Sequence, residues 1–119
     1  MEKTWKPKTP SIDHETFVQV CRDNAVIAVH FWAVWNNYDQ EVDREIQLLL
    51  KDHPGEIYFL SCNVDSSENV PLVKDGEILN FPAVVVVHGV KGKPIIGRFP
   101  ASELYVRIMT QADELKQEQ

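Results

Sequence analysis

Residues 25–32 read Ala-Val-Ile-Ala-Val-His-Phe-Trp, an almost unbroken apolar run. Its short length and β-branched content favour a strand. Because apolar and polar residues do not alternate, both faces of that strand have to be covered, as in the interior of a parallel sheet. The pattern then changes to a helical one. From residue 36 to about 52, Val42, Ile46, Leu49 and Leu50 form one apolar stripe. Asn36 or Asn37 can cap the free N–H groups at its start, Asp39 and Glu41 suit its positive end, and His53-Pro54-Gly55 stops it. Residues 56–64, centred on Ile57-Tyr58-Phe59-Leu60, read as a second strand. A strand, helix and strand at this spacing make a right-handed βαβ unit with parallel strands.

The rest of the chain adds elements around that unit. Residues 1–10 are a polar lead-in with Pro7 and Pro10, leaving room for a short edge strand near Thr4–Lys6. Residues 11–22 read as a helix capped by Ser11 or Asp13, with Phe17, Val20 and Cys21 at helical spacing. Residues 65–78 are polar, with Pro71 and Gly76, and hold at most a short helix; Asp65-Ser66-Ser67-Glu68 suits a helix cap and lacks the ligand series of a calcium loop. Residues 83–88 are a valine-rich strand, 89–93 a turn and 95–99 a return strand, which together make a hairpin. Residues 102–115 close the chain as a helix with Leu104, Ile108, Ala112 and Leu115 on one face, and residues 116–119 should fray. The expected order is βαβαβαββα in a single domain over residues 1–119. Its class is α/β: a mixed central sheet, parallel in its βαβ half and antiparallel in its hairpin, with helices on both faces.

Composition narrows the function classes. The 119 residues carry a net charge of −6, and the twelve basic residues are scattered, so nothing argues for nucleic acid or an anionic membrane as partner. No apolar run reaches the length of a membrane span, and the first residues lack the apolar core of a signal peptide; a cytoplasmic location is the expectation. The two cysteines, Cys21 and Cys62, form no C-x-x-C motif and read as reduced, buried thiols. His14, His53 and His88 fall on different elements, and with the cysteines they show no metal-ligand spacing. Lys91-Gly92-Lys93 is a hairpin tip, not a phosphate cradle, since no helix follows it. Neither a metal nor a cofactor is expected.

Three local marks resemble the thioredoxin family. They are Val29-His30-Phe31-Trp32-Ala33-Val34-Trp35, Asn63-Val64-Asp65 at the end of the next strand, and Phe81-Pro82-Ala83 before the valine strand. The resemblance spans roughly residues 12–115 and implies a thioredoxin-like three-layer α/β/α fold, with Pro82 as a cis-proline facing the active-site loop. The departure is equally plain. Where the family carries Cys-Gly-Pro-Cys after the second tryptophan, this chain has Asn36-Asn37-Tyr38-Asp39. The attacking thiolate and the resolving thiol of disulfide exchange are thereby replaced by an amide and a carboxylate, and neither can do that chemistry. The family's buried acid on the central strand is matched here by His30. If the folds superpose, Asp39 sits above His30, and an imidazole–carboxylate pair takes the place of acid and thiol. Catalysis by that pair lacks a suitably placed serine or cysteine.

The reading that follows is a non-catalytic protein- or peptide-binding module. Its groove is formed by Trp35, Asn36, Asn37, Tyr38 and Asp39, with Phe81 and Pro82 opposite. An extended peptide would pair there in the manner of strand addition. Two rivals remain at this stage: a redox protein working through Cys21 or Cys62, and an assembly subunit that binds through a sheet edge or a helix face.

Overall fold

A computed structural model describes residues 5–11, 26–34, 36–65, 83–88 and 91–117. Strand β1, Ile27–Trp32, is buried along its whole length, as a run without alternation requires. It pairs in parallel with β2, Tyr58–Asn63, in the register Ile27↔Tyr58 to Trp32↔Asn63. On its other side it pairs antiparallel with β3, Ala83–His88, from Ile27↔Val87 to Phe31↔Ala83. Strand β4, Lys91–Ile96, pairs antiparallel with β3, so the sheet order is β2-β1-β3-β4. Helices α1, Tyr38–Asp52, and α2, Ala101–Gln117, complete the described elements.

The two sheet faces carry different sets of residues. Val26, Ala28, Phe59, Val84 and Val86 pack against Val42, Ile46 and Leu49 of α1 and Leu104, Ile108, Ala112 and Leu115 of α2. Ile27, Val29, Phe31, Leu60, Cys62, Val85 and Val87 form the core of the opposite face. This period-two division puts His30 on the α1 side and Cys62 on the other.

Several expectations need correction. Trp5 and Lys6 are not in a strand. The contact with β2 comes later, where Ser11 bridges Ser61 in parallel and the Ser61 N–H donates to Pro10 O at 2.7 Å. Pro7 and Pro10 have no N–H to offer a ladder, which keeps the segment from pairing further. The return strand is residues 91–96 rather than 95–99. Gly92 and Pro94 gave it the composition of a turn, but at a sheet edge proline costs no ladder bond. Gly92 also lies close to β3: a Cβ there would meet Val85 Cγ1 at 3.0 Å. Helix α2 runs on through Lys116 and Gln117, beyond the end at Leu115; the lysine in its last turn suits the negative end of the dipole. The helix expected at 11–22 (apart from Ser11), the short helix expected within 65–78 (apart from Asp65), Cys21 and His14 lie outside the described residues. No helix among the described residues is long and apolar enough to cross a membrane.

Candidate functional site

The turn between β1 and α1 is held by its own backbone and by Asn36. The Asn36 N–H donates to Ala33 O at 3.1 Å, and the Asp39 and Gln40 N–H groups donate to Asn36 O and Asn37 O at 3.1 and 3.3 Å. Asn36 Oδ1 accepts from the Tyr38 N–H at 3.0 Å, whereas the Asn37 side chain makes no capping bond. Of the two candidate caps, Asn36 therefore does the work. These bonds engage the N–H groups of residues 38–40. The positive end of α1 is thus closed off by local partners rather than left open to an anion.

Beneath the turn, Asp39 Oδ1 lies 3.0 Å from His30 Nε2, and Asp39 Oδ2 accepts from the Ala33 N–H at 3.1 Å. Both side chains are completely buried. An ionised Asp39 accepts from two donors and sits in the first turn of α1, where the dipole favours negative charge. In that arrangement the hydrogen of His30 is on Nε2. Among the described residues His30 Nδ1 has no hydrogen-bond partner, so there a neutral imidazole leaves only a lone pair, while an imidazolium would bury a partnerless N–H. The two departures from the family pattern are thus one structural unit. It ties the start of α1 to β1 across nine residues of sequence.

Burial also corrects the role of Asp39. Expected both in the pair and on the groove face, its carboxylate is fully buried and holds the turn from below through His30 and the Ala33 N–H. Asn37 and Tyr38 are exposed, and Asn36 is half-buried. Tyr38 is 52 % exposed and carries the Arg98 guanidinium over its ring, 4.1 Å from the centroid. Trp35, Phe81 and Pro82 lie outside the described residues.

Cys62 sits on the opposite face of the sheet, fully buried among Phe31, Leu60 and Val85, and burial pushes its thiol up to about 12. A thiol in that state is protonated at neutral pH and is not a nucleophile. His53 has no metal partner among the described residues: Nδ1 lies 3.0 Å from Glu56 Oε2, and the ring stacks on Tyr105 at 3.7 Å.

Sequence reasoning missed three features. Asp43 is buried and accepts from the Lys8 backbone N–H at 3.2 Å. A signal was available, since Asp43 follows Asp39 by one helical turn on the apolar face. Trp5 packs edge-on against Trp32 with centroids 5.4 Å apart, which brings the lead-in to the end of β1; no periodicity announces such a contact. Arg98 reaches the loop from the connection before α2, a long-range meeting that local pattern cannot show.

No protein-family profile matches the sequence, and no curated protein matches it. Solved structures do. Mitochondrial thioredoxin 3 from Saccharomyces cerevisiae, in its oxidised form, superposes with a TM-score of 0.73 at 20% identity over 86% of this chain and 94% of its own. Chloroplastic thioredoxin z gives 0.72 at 21% identity over 92% and 98%. A chain from a structural study of thiol resolution in yeast mitochondrial 1-Cys peroxiredoxin gives 0.72 at 20% identity over 87% and 95%. The chain therefore has the thioredoxin-like fold expected from its sequence. Likeness at this identity shows the fold and leaves the chemistry to be argued from the residues.

Proposed function

We propose that this chain is a redox-inactive thioredoxin-fold module that binds a protein or an extended peptide through the former active-site face. On the family resemblance, Trp35, Asn36, Asn37 and Tyr38 would form one side of that face and Phe81 and Pro82 the other. The observation that carries this reading is the buried His30–Asp39 pair. It supplies the stabilisation that a loop needs in order to keep one shape without sulfur, and it does so without placing a reactive group on the surface. Exposure of Asn37 and Tyr38 supports the same reading. So does Ala83, the residue after Pro82, which pairs with Phe31 near the end of β1 from which the loop departs. Aromatic contact and backbone hydrogen bonds would supply the affinity.

The rivals have less support. Of the two thiols of the redox rival, Cys62 is on the wrong face and protonated, and Cys21 lies outside the described residues. The β4 edge carries Pro94, and Pro10 and Ser11 occupy the middle of the β2 edge, so both edges are poor templates for strand addition. Affinity capture with the wild type, Trp35→Ala and Tyr38→Ala tests the proposal. Partners retained by the wild type should be lost from both variants while the fold, followed by circular dichroism, is unchanged. Undiminished capture by both variants would move the interface elsewhere.

A further inference from the structure

Next to Tyr38 lies a cleft of about 210 Å³, lined by Glu41, Val42, Glu45, Arg98, Phe99 and Pro100. It is smaller than the roughly 300–1,000 Å³ of small-molecule and cofactor sites, so it suits a single side chain of a partner. Its walls are fixed. Gly97, at φ 120°, takes a backbone conformation that residues with a side chain rarely adopt and turns the chain back over α1. Arg98 Nη1 then donates to Glu41 Oε2 at 3.1 Å while its guanidinium covers the Tyr38 ring. Glu45 Oε1 accepts from the Ala101 N–H at 2.9 Å and so caps the start of α2.

We infer that this cleft is a specificity pocket of the proposed groove and takes a lysine or arginine side chain of the bound peptide. The inference rests on the groove reading, since Arg98, which lines the cleft, covers the ring of Tyr38 in the groove. Charge complementarity chooses the occupant. Two carboxylates face one guanidinium, and that guanidinium is already engaged by Glu41 and Tyr38. Glu41 Oε1 and Glu45 Oε2 make no bond among the described residues and remain able to accept from a cation. Val42, Phe99 and Pro100 offer apolar surface for the methylene stem of such a side chain. An acidic side chain would instead meet the excess carboxylate, on a molecule whose net charge is already −6.

The test is an NMR titration of the full chain with two seven-residue peptides of alternating valines, identical except for a central Lys or a central Glu. The Lys peptide should bind about fivefold tighter at low salt, the upper end for one exposed ion pair. It should shift the amides of Glu41, Glu45, Arg98 and Phe99 together with those of residues 36–39. The preference should vanish in the double variant Glu41→Gln, Glu45→Gln, in which the amide oxygens can still serve Arg98 and the Ala101 N–H. Equal affinities, or a preference that survives in the double variant, overturn the pocket; shifts at residues 36–39 in that experiment keep the groove reading standing. Shifts at the cleft without shifts at residues 36–39 keep the pocket and remove the groove. Failure of both peptides to bind at millimolar concentration overturns the pocket as assigned.

Discussion

A buried carboxylate has to find donors, and Asp39 finds two: the His30 imidazole and the Ala33 N–H. Removing the acceptor leaves both without a partner in a site that water does not reach. Asp39→Ala should therefore destabilise the fold by about 3 kcal/mol, read from chemical denaturation. Asp39→Asn is more informative. Its single amide oxygen can serve the Ala33 N–H or His30, not both. If it stays with Ala33, the amide NH₂ faces Nε2, and His30 has to move its hydrogen to Nδ1. Nitrogen-15 shifts of the ring should report an Nε2–H tautomer in the wild type and an Nδ1–H tautomer in the variant. An Nδ1–H tautomer already present in the wild type would mean that Asp39 does not accept from His30 and does not set the ring. This pair was legible in the sequence only because two unusual residues fell at positions that the fold brings together. His30 alone, in an apolar strand, would pass for an ordinary core histidine.

At the level of elements, the buried strand and the two amphipathic helices were legible because burial on both faces and a 3.6-residue stripe leave few alternatives. The β3–β4 register was not, since Gly92 and Pro94 mimic a turn in composition and only the edge position makes them tolerable. The elements are joined at their far ends by a polar clamp. Glu56, just after α1, accepts from the Tyr105 hydroxyl of α2 at 2.6 Å and contacts His53 at 3.0 Å. The Tyr105 hydroxyl, and then His53, hold the Glu56 carboxyl below its usual range, and the Glu56 carboxylate in turn raises Tyr105. For a depressed acid, the stabilisation is present above the unfolded value and is lost as pH falls through the folded one. The stability difference between the wild type and Glu56→Gln should thus shrink as pH is lowered from neutral to about 3. For the raised phenol the sign reverses. Its contribution is whole below the ordinary tyrosine range and fades as pH climbs through the folded value, so Tyr105→Phe should approach the wild type in alkali. A difference that is flat with pH in either variant would mean that the clamp is not formed in solution. Gly97→Ala should cost about 1–2 kcal/mol through its backbone conformation alone, and it should loosen Arg98 from Tyr38.

For the molecule as a whole, a thioredoxin-like fold carries a loop at residues 33–39 that contains no cysteine. Where the resemblance would put the family's two cysteines, Asn36 caps a helix and Asp39 holds a histidine. Cys62 belongs to the core of the other face, so its alkylation should be slow in the native state and become fast only on unfolding. The fold could be read from three motifs in order. The loop between β1 and α1 could be read, but not the contacts around it, because Arg98 meets Tyr38 from before α2 and the pairs Glu45–Ala101 and Trp5–Trp32 lie 56 and 27 residues apart in sequence. The most direct test of the account is the reduction of insulin by dithiothreitol, followed with the wild type and with Asn36→Cys, Asp39→Cys. The wild type should add nothing to the rate of dithiothreitol alone, and the double variant should add a measurable rate. Catalysis by the wild-type chain would contradict the claim that this loop has left thiol chemistry behind.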